Sequence, residues 1–210
     1  MLVEAFHWRY HPLAALIAER VEQVGALRHI DAAFAVEIAP DNEVRQSYEL
    51  SGGALMDLGC YPAQWIRFVG SGEPTVTSAS MATGRPDVDI TTTVDLRFDD
   101  GVTARLSTAM HPGVERHASL TVGGERGTVH VVNPIAPHQG HGLSFTPVGG
   151  EPVVETVEGR TTYHHQLEAF RDAVVDGAPV PTGGADSIAT MELIDAAYAA
   201  AGLPVRGTRR

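Results

Sequence analysis

Two side chains four residues apart, the carboxylate of Asp57 and the phenol of Tyr61, stand in an apolar helical pattern that opens on Gly52 and Gly53. Residues at i and i+4 share a helix face, so a polar pair occupies positions that a soluble core would fill with aliphatics. At about 100° per residue, Asp57, Tyr61, Gln64 and Phe68 fall within about 60° of one another, while Leu55, Leu58, Trp65, Ile66 and Val69 gather on the other side. One face packs and the other presents chemistry. A carboxylate beside a phenol suits proton transfer at an alcohol or carbonyl oxygen, because oxidising a secondary alcohol moves a hydride one way and a proton the other. The phenol needs help: bringing its ordinary pKa of about 10 near 7 takes about 4 kcal/mol of preferential phenolate stabilisation. A nearby cation supplies that, and a carboxylate alone opposes it. The other reading of the pair is a solvated surface contact with no reaction to run.

The run Gly-Gly-Ala-Leu-Met-Asp-Leu-Gly-Cys-Tyr-Pro at 52–62 closely resembles the catalytic-helix signature of the glucose-fructose oxidoreductase, inositol dehydrogenase and MocA (Gfo/Idh/MocA) family. Three more stretches, in the right order, share the resemblance. Glu-Ala-Phe-His-Trp-Arg-Tyr-His-Pro at 4–12 is similar to the family's entry into its second domain. Gly-Gly-Glu-Arg-Gly at 123–127 is similar to its strand-turn-strand element, and His-Gln-Leu-Glu-Ala-Phe at 165–170, followed by Gly177 and Pro179, to its penultimate helix.

The resemblance implies an α+β fold, a mostly antiparallel open sheet with helices packed on one face, and NAD(P)-dependent oxidation or reduction of CH–OH groups in sugars, polyols or related alcohols. It gives Asp57 and Tyr61 the catalytic roles, Tyr61 as proton donor and acceptor, in the manner of the dihydrodiol dehydrogenase branch more than the inositol dehydrogenase branch. Gln64 becomes a substrate-hydroxyl contact, and His7, Arg9 and His111 substrate-binding residues, with Trp8, His11 and Glu115 weighed beside them. Subunits of the family meet on the open sheet face, which implies a homo-oligomer. A complete member begins with a dinucleotide-binding βαβ unit that carries a catalytic lysine in a Glu-Lys-Pro motif. This sequence has no Gly-x-Gly-x-x-Gly, and its 15 basic residues are all arginine. The expectation is therefore a single substrate-binding and dimerisation domain over 1–210 with the dinucleotide-binding domain absent. NAD or NADP would serve the complete enzyme, held by another domain or a separate Rossmann subunit and not by this chain, which alone would not turn over. The rival reading is a non-catalytic sugar-binding or interaction module of the same fold.

A length of 210 residues suits one sizeable core. The net charge of −11, with no basic cluster beyond residues 206–210, argues against a nucleic-acid partner. No window approaches the about 20 apolar residues of a membrane span, and one cysteine, Cys60, fits a reducing cytoplasm. Ten histidines raise a metalloenzyme as a further rival, but neither the adjacent His164 and His165 nor the loop pair His138 and His141 has the i, i+4 helical geometry of a two-histidine ligand set, and no metal is expected. Cys60 lacks any cue for activation and reads as a small buried residue.

The elements that must position the pair follow from periodicity. Residues 2–7 read as a short strand, 12–24 as a helix opening on Pro12, 27–38 as a strand, and 40–51 as a loop into the central helix, where Pro62 implies a kink or a break. Period-two stretches at 75–83, 90–98, 102–110, 116–122 and 127–132 read as consecutive antiparallel strands, with Asp99-Asp100-Gly101 as a hairpin turn. Residues 133–142 read as a loop, followed by two short strands up to 157. Helices over 162–176 and 187–201 close the chain.

Overall fold

A computed structural model describes residues 1–39, 41 and 44–207. Part of the expected 40–51 loop and the end of the basic stretch at 206–210 lie outside the described residues. Eight strands form one open sheet in the order β2-β3-β4-β1-β5-β6-β7-β8. They are β1 (Leu27–Ala35), β2 (Thr75–Arg85), β3 (Val88–Arg97), β4 (Thr103–Ala109), β5 (His117–Gly124), β6 (Gly127–Val132), β7 (Gly142–Pro147) and β8 (Val153–Glu155). The helices are α1 (Pro12–Gln23), α2 (Cys60–Val69), α3 (Thr162–Asp176) and α4 (Gly184–Ala200). This is the expected α+β class. The chain groups into two compact units, one of Met1–Leu27 with Thr121–Ala189, the other of Arg28–Leu120 with Thr190–Arg210.

In the second unit the expected alternation is realised. Ile30, Ala32 and Phe34 of β1, Val94 and Leu96 of β3, and Ala104 and Leu106 of β4 are buried, and the core they form also takes in Leu55, Leu58, Trp65 and Ile66. β2, β3 and β4 pair antiparallel in sequence order. The hairpin closes through Phe98 N–H to the Val102 carbonyl at 2.8 Å, with Gly101 at φ 90°. Sequence order fails at the next step, because β1 lies between β4 and β5 and pairs parallel with β4, Phe34 opposite Thr108. A strand that leaves through a helix and returns by a hairpin can re-enter beside itself in parallel, a long-range choice that local periodicity does not encode. The open face of these strands carries a row of polar partners. Asp31 and Asp95 stand opposite Arg105 on either side, and Ser78 stands opposite Asp95.

Pro62 does not break the central helix. Its missing N–H and crowding ring are accommodated by a wide π-helical turn over Leu55–Gly59 immediately before α2. That turn holds more residues than an α turn, so the positions before and after it leave the ideal helical register.

In the first unit residues 2–7 are not a strand. Only Val3 makes a β-bridge, to Gly183, and the chain then coils into a 3₁₀ turn over His7–Tyr10. Tethering replaces a strand here: Glu4 N–H donates to the Thr182 carbonyl, and the Thr182 hydroxyl donates to the Glu4 carbonyl, each at 2.8 Å. His11 Nδ1 accepts the Leu13 N–H at 3.1 Å and caps α1, with Pro12 preset for its first turn. The far end of α1 is closed by Arg126, whose guanidinium donates to the Gln23 and Glu22 carbonyls.

Candidate active site

The site is built from the double glycine upward. Gly53 N–H donates to the Arg45 carbonyl at 3.1 Å, and the Gly53 carbonyl accepts the Asp57 N–H at 3.0 Å, so one residue links the loop to the helix. A Cβ on Gly52 would lie 2.5 Å from the Arg45 carbonyl oxygen, so only glycine admits that loop so closely. Gly53 has φ 132°, and a Cβ there would meet Asp89 Oδ1 at 2.1 Å.

Asp89 is fully buried and accepts four hydrogen bonds: from Leu55 N–H at 2.8 Å, Thr92 Oγ1 at 2.7 Å, Tyr198 OH at 2.7 Å and Arg206 Nη2 at 3.2 Å. It is a buried carboxylate anchoring a helix N-terminus, where unsatisfied N–H groups favour an anion. Arg206 also donates to the Gly52 and Pro204 carbonyls and lies over the Tyr198 ring, 4.0 Å from its centroid. Burial, and then the Asp89 carboxylate, push the Tyr198 phenol far above its ordinary value, so it donates rather than ionises.

On this anchored helix Asp57 and Tyr61 are each half-buried, one turn apart. Asp57 Oδ2 accepts from Arg45 Nε at 2.7 Å. The Tyr61 ring meets Phe34 edge to face at 5.8 Å between centroids. Gln64 is buried at 4% exposure, and its amide donates to Thr190 Oγ1 at 3.2 Å. The wide turn before α2 explains why it does not share Asp57's exposure as ideal helical spacing implied. His111 lies two residues beyond the end of β4, the strand that pairs with Phe34, and its Nδ1 is 3.0 Å from the Pro112 carbonyl. Glu115 is exposed on the same connection. Cys60, expected to be buried, is part-exposed, with Sγ 3.7 Å from the Asp57 carbonyl.

His7 and Arg9 belong to the 3₁₀ turn of the first unit. His7 is buried, stacks on Tyr163 at 4.1 Å, and has Nδ1 2.7 Å from Thr162 Oγ1. Burial, and then His138, lower its pKa to about 4, so it is neutral near pH 7. Burial also lowers Arg9, against the opposing pull of Asp186. Trp8 is buried, and His11 is spent on its cap. The same unit holds a cleft of about 790 Å³ lined by His11, His138, His164, His165, Arg160 and Glu168 among others. Among the described residues no group of three or more His, Cys, Asp or Glu is arranged to hold a metal ion.

The sequence reading missed Arg45, Asp89 and Arg206. Arg45 lay in a polar stretch with no pattern. Asp89 sits just before the clean alternation of β3, where a lone inward carboxylate is its only sign.

A family model for the GFO/IDH/MocA C-terminal domain matches residues 13–130. The D-xylose 1-dehydrogenase (NADP(+)) 2 of Haloferax volcanii is 30% identical over 206 residues, covering 95% of this chain and 62% of that protein. Among solved structures, an aldose-aldose oxidoreductase from Caulobacter crescentus complexed with glycerol superposes with a TM-score of 0.83 at 24% identity, covering 96% of this chain and 62% of that one. A 3-ketoreductase from Actinomadura kijaniata in complex with NADP and TDP-benzene does so with a TM-score of 0.80 at 21% identity, covering 95% and 62%. The chain belongs to the Gfo/Idh/MocA oxidoreductase family and carries the fold of its C-terminal domain. It spans about three fifths of the length of the Haloferax relative.

Proposed function

We propose that residues 1–210 form the substrate-binding and oligomerisation part of an NAD(P)-dependent oxidoreductase acting on the CH–OH groups of a sugar, polyol or related alcohol. The observation that carries this reading is the half-exposed Asp57–Tyr61 pair, one turn apart on a helix whose start is locked by a buried polar network. Tyr61 takes the proton from the alcohol oxygen in oxidation and returns it in reduction. Asp57 accepts a hydrogen bond from a substrate hydroxyl and fixes its orientation. His7, Arg9, Gln64 and His111 are the further substrate-binding candidates. Among them Gln64 and His7 already have protein partners.

The nicotinamide supplies the hydride acceptor or donor. No Gly-x-Gly-x-x-Gly in the sequence fits a dinucleotide, so the cofactor belongs to a further domain, in the same polypeptide or in a separate Rossmann subunit. Tyr163, Leu167, Phe170 and Val174 support such a neighbour, because they form an exposed apolar stripe along α3 at i, i+4, i+7 and i+11. The polar row on the open face of β1–β4 is the proposed contact between copies. No described helix is long and apolar enough to cross a membrane, and a reducing cytoplasm is the proposed compartment.

The test joins the chain to a dinucleotide-binding domain, supplies NADP and D-xylose, and follows absorbance at the reduced-nicotinamide band. Hydride transfer that Tyr61→Phe abolishes supports the reading. Aldose binding without any hydride transfer would favour the non-catalytic module instead.

A further inference from the structure

Resting on that reading, we infer that Arg45 is a positioning residue of the site, the cation through which this chain orients Asp57. Three independent features converge on it. Its Nε lies 2.7 Å from Asp57 Oδ2, a charge-assisted contact between half-buried groups. Its backbone is tied to the helix start by the Gly53 N–H, while the Gly53 carbonyl takes the Asp57 N–H, so both ends of the ion pair hang from one residue. The missing Cβ of Gly52 is what lets the Arg45 carbonyl come so near. The double glycine thus reads as a device that sets a guanidinium against the carboxylate, beyond opening a helix.

The chemistry needs such a cation. A carboxylate one turn from the phenol opposes phenolate formation at Tyr61, and a guanidinium on that carboxylate offsets the opposition. Holding Asp57 by one oxygen also fixes the plane of the carboxylate, and with it the direction from which a substrate hydroxyl is received. Arg45 touches neither substrate nor hydride in this scheme. It acts through Asp57.

Two variants test this, Arg45→Met, which keeps the aliphatic stem, and Arg45→Lys, which keeps the charge. Crystal structures of the two variant chains should show the Asp57 carboxylate turned from its present orientation in the Met variant and retained in the Lys variant. With the chain joined to a dinucleotide-binding domain, kcat for D-xylose and NADP should fall about 10²-fold in Arg45→Met, KM should change far less, and Arg45→Lys should recover most of the loss. Asp57 unmoved in Arg45→Met would overturn the inference whatever the activity does. If the unsubstituted chain transfers no hydride, the redox reading fails, and the crystal structures still decide whether Arg45 orients Asp57.

Discussion

Arg206 reaches back over 117 positions of sequence to set its Nη2 3.2 Å from Asp89 Oδ1, and both side chains are buried. The pair closes the ground beneath the helix that carries Asp57, since Asp89 holds the Leu55 N–H and Arg206 holds the Gly52 carbonyl. Removing one member strands the other charge in the interior. Arg206→Met and Asp89→Asn should each lower stability by about 3–5 kcal/mol. The double variant should lose much less than the sum, because each substitution already breaks the same network. Urea unfolding of the four proteins measures this. Additive losses would mean that the two residues are not energetically coupled.

Gly53→Ala should be as damaging without removing any charge. The backbone there is in a region that disfavours side chains, and the new methyl group would press on the Asp89 carboxylate. A loss of about 3 kcal/mol, or about 6–12 °C in the melting temperature for a chain of this size, is expected. A melting temperature within a degree or two of the parent would show that the helix start relaxes without cost.

The first unit should weaken in acid. His7 and His11 are both lowered to about 4, chiefly by burial, while an unfolded histidine titrates near its ordinary value. The unfolded chain therefore binds protons that the folded chain refuses. The stability contribution of these residues is full above about pH 6.5 and is lost as pH falls from there toward 4. His11→Asn keeps a cap acceptor on α1 and should flatten part of that decline. Urea midpoints for the two proteins between pH 7 and 4 give the comparison. Parallel curves would mean that His11 titrates freely in the folded state.

These relationships mark where the sequence was readable. Alternation in β3 and β4 and the outline of α3 were legible because each is decided by neighbours in the chain and one buried face. The half-buried Asp57–Tyr61 pair stood out for the same reason, as a violation of an apolar pattern. What escaped depends on distant parts of the chain. The place of β1 between β4 and β5 is a matter of pairing. The burial of Gln64 follows from a wide turn that Pro62 favours. The partners of Asp89 come from Thr92, Tyr198 and Arg206, which no local window joins. Residues 2–7 looked like a strand because they are short and apolar, yet a single bridge at Val3 and the Thr182 contacts hold them.

The open sheet face yields a prediction about assembly. Asp95, held below the ordinary carboxylate range by Arg105 and then Ser78, is ionised at neutral pH within the row that also includes Asp31. If copies meet on this face, Arg105→Glu places three carboxylates in a line and should shift the chain toward monomer. Light scattering reads the mass. An unchanged oligomer, or a monomeric parent, would remove this face as the contact.

The central claim is that Asp57 and Tyr61 are one half of a redox centre, and hydride transfer tests it most directly. With the chain joined to a dinucleotide-binding domain and given NADP and an aldose, Tyr61→Phe and Asp57→Asn should lower kcat by about 10²–10⁴-fold while leaving the unfolding midpoint nearly unchanged. Turnover that survives both substitutions at the parent rate would contradict it.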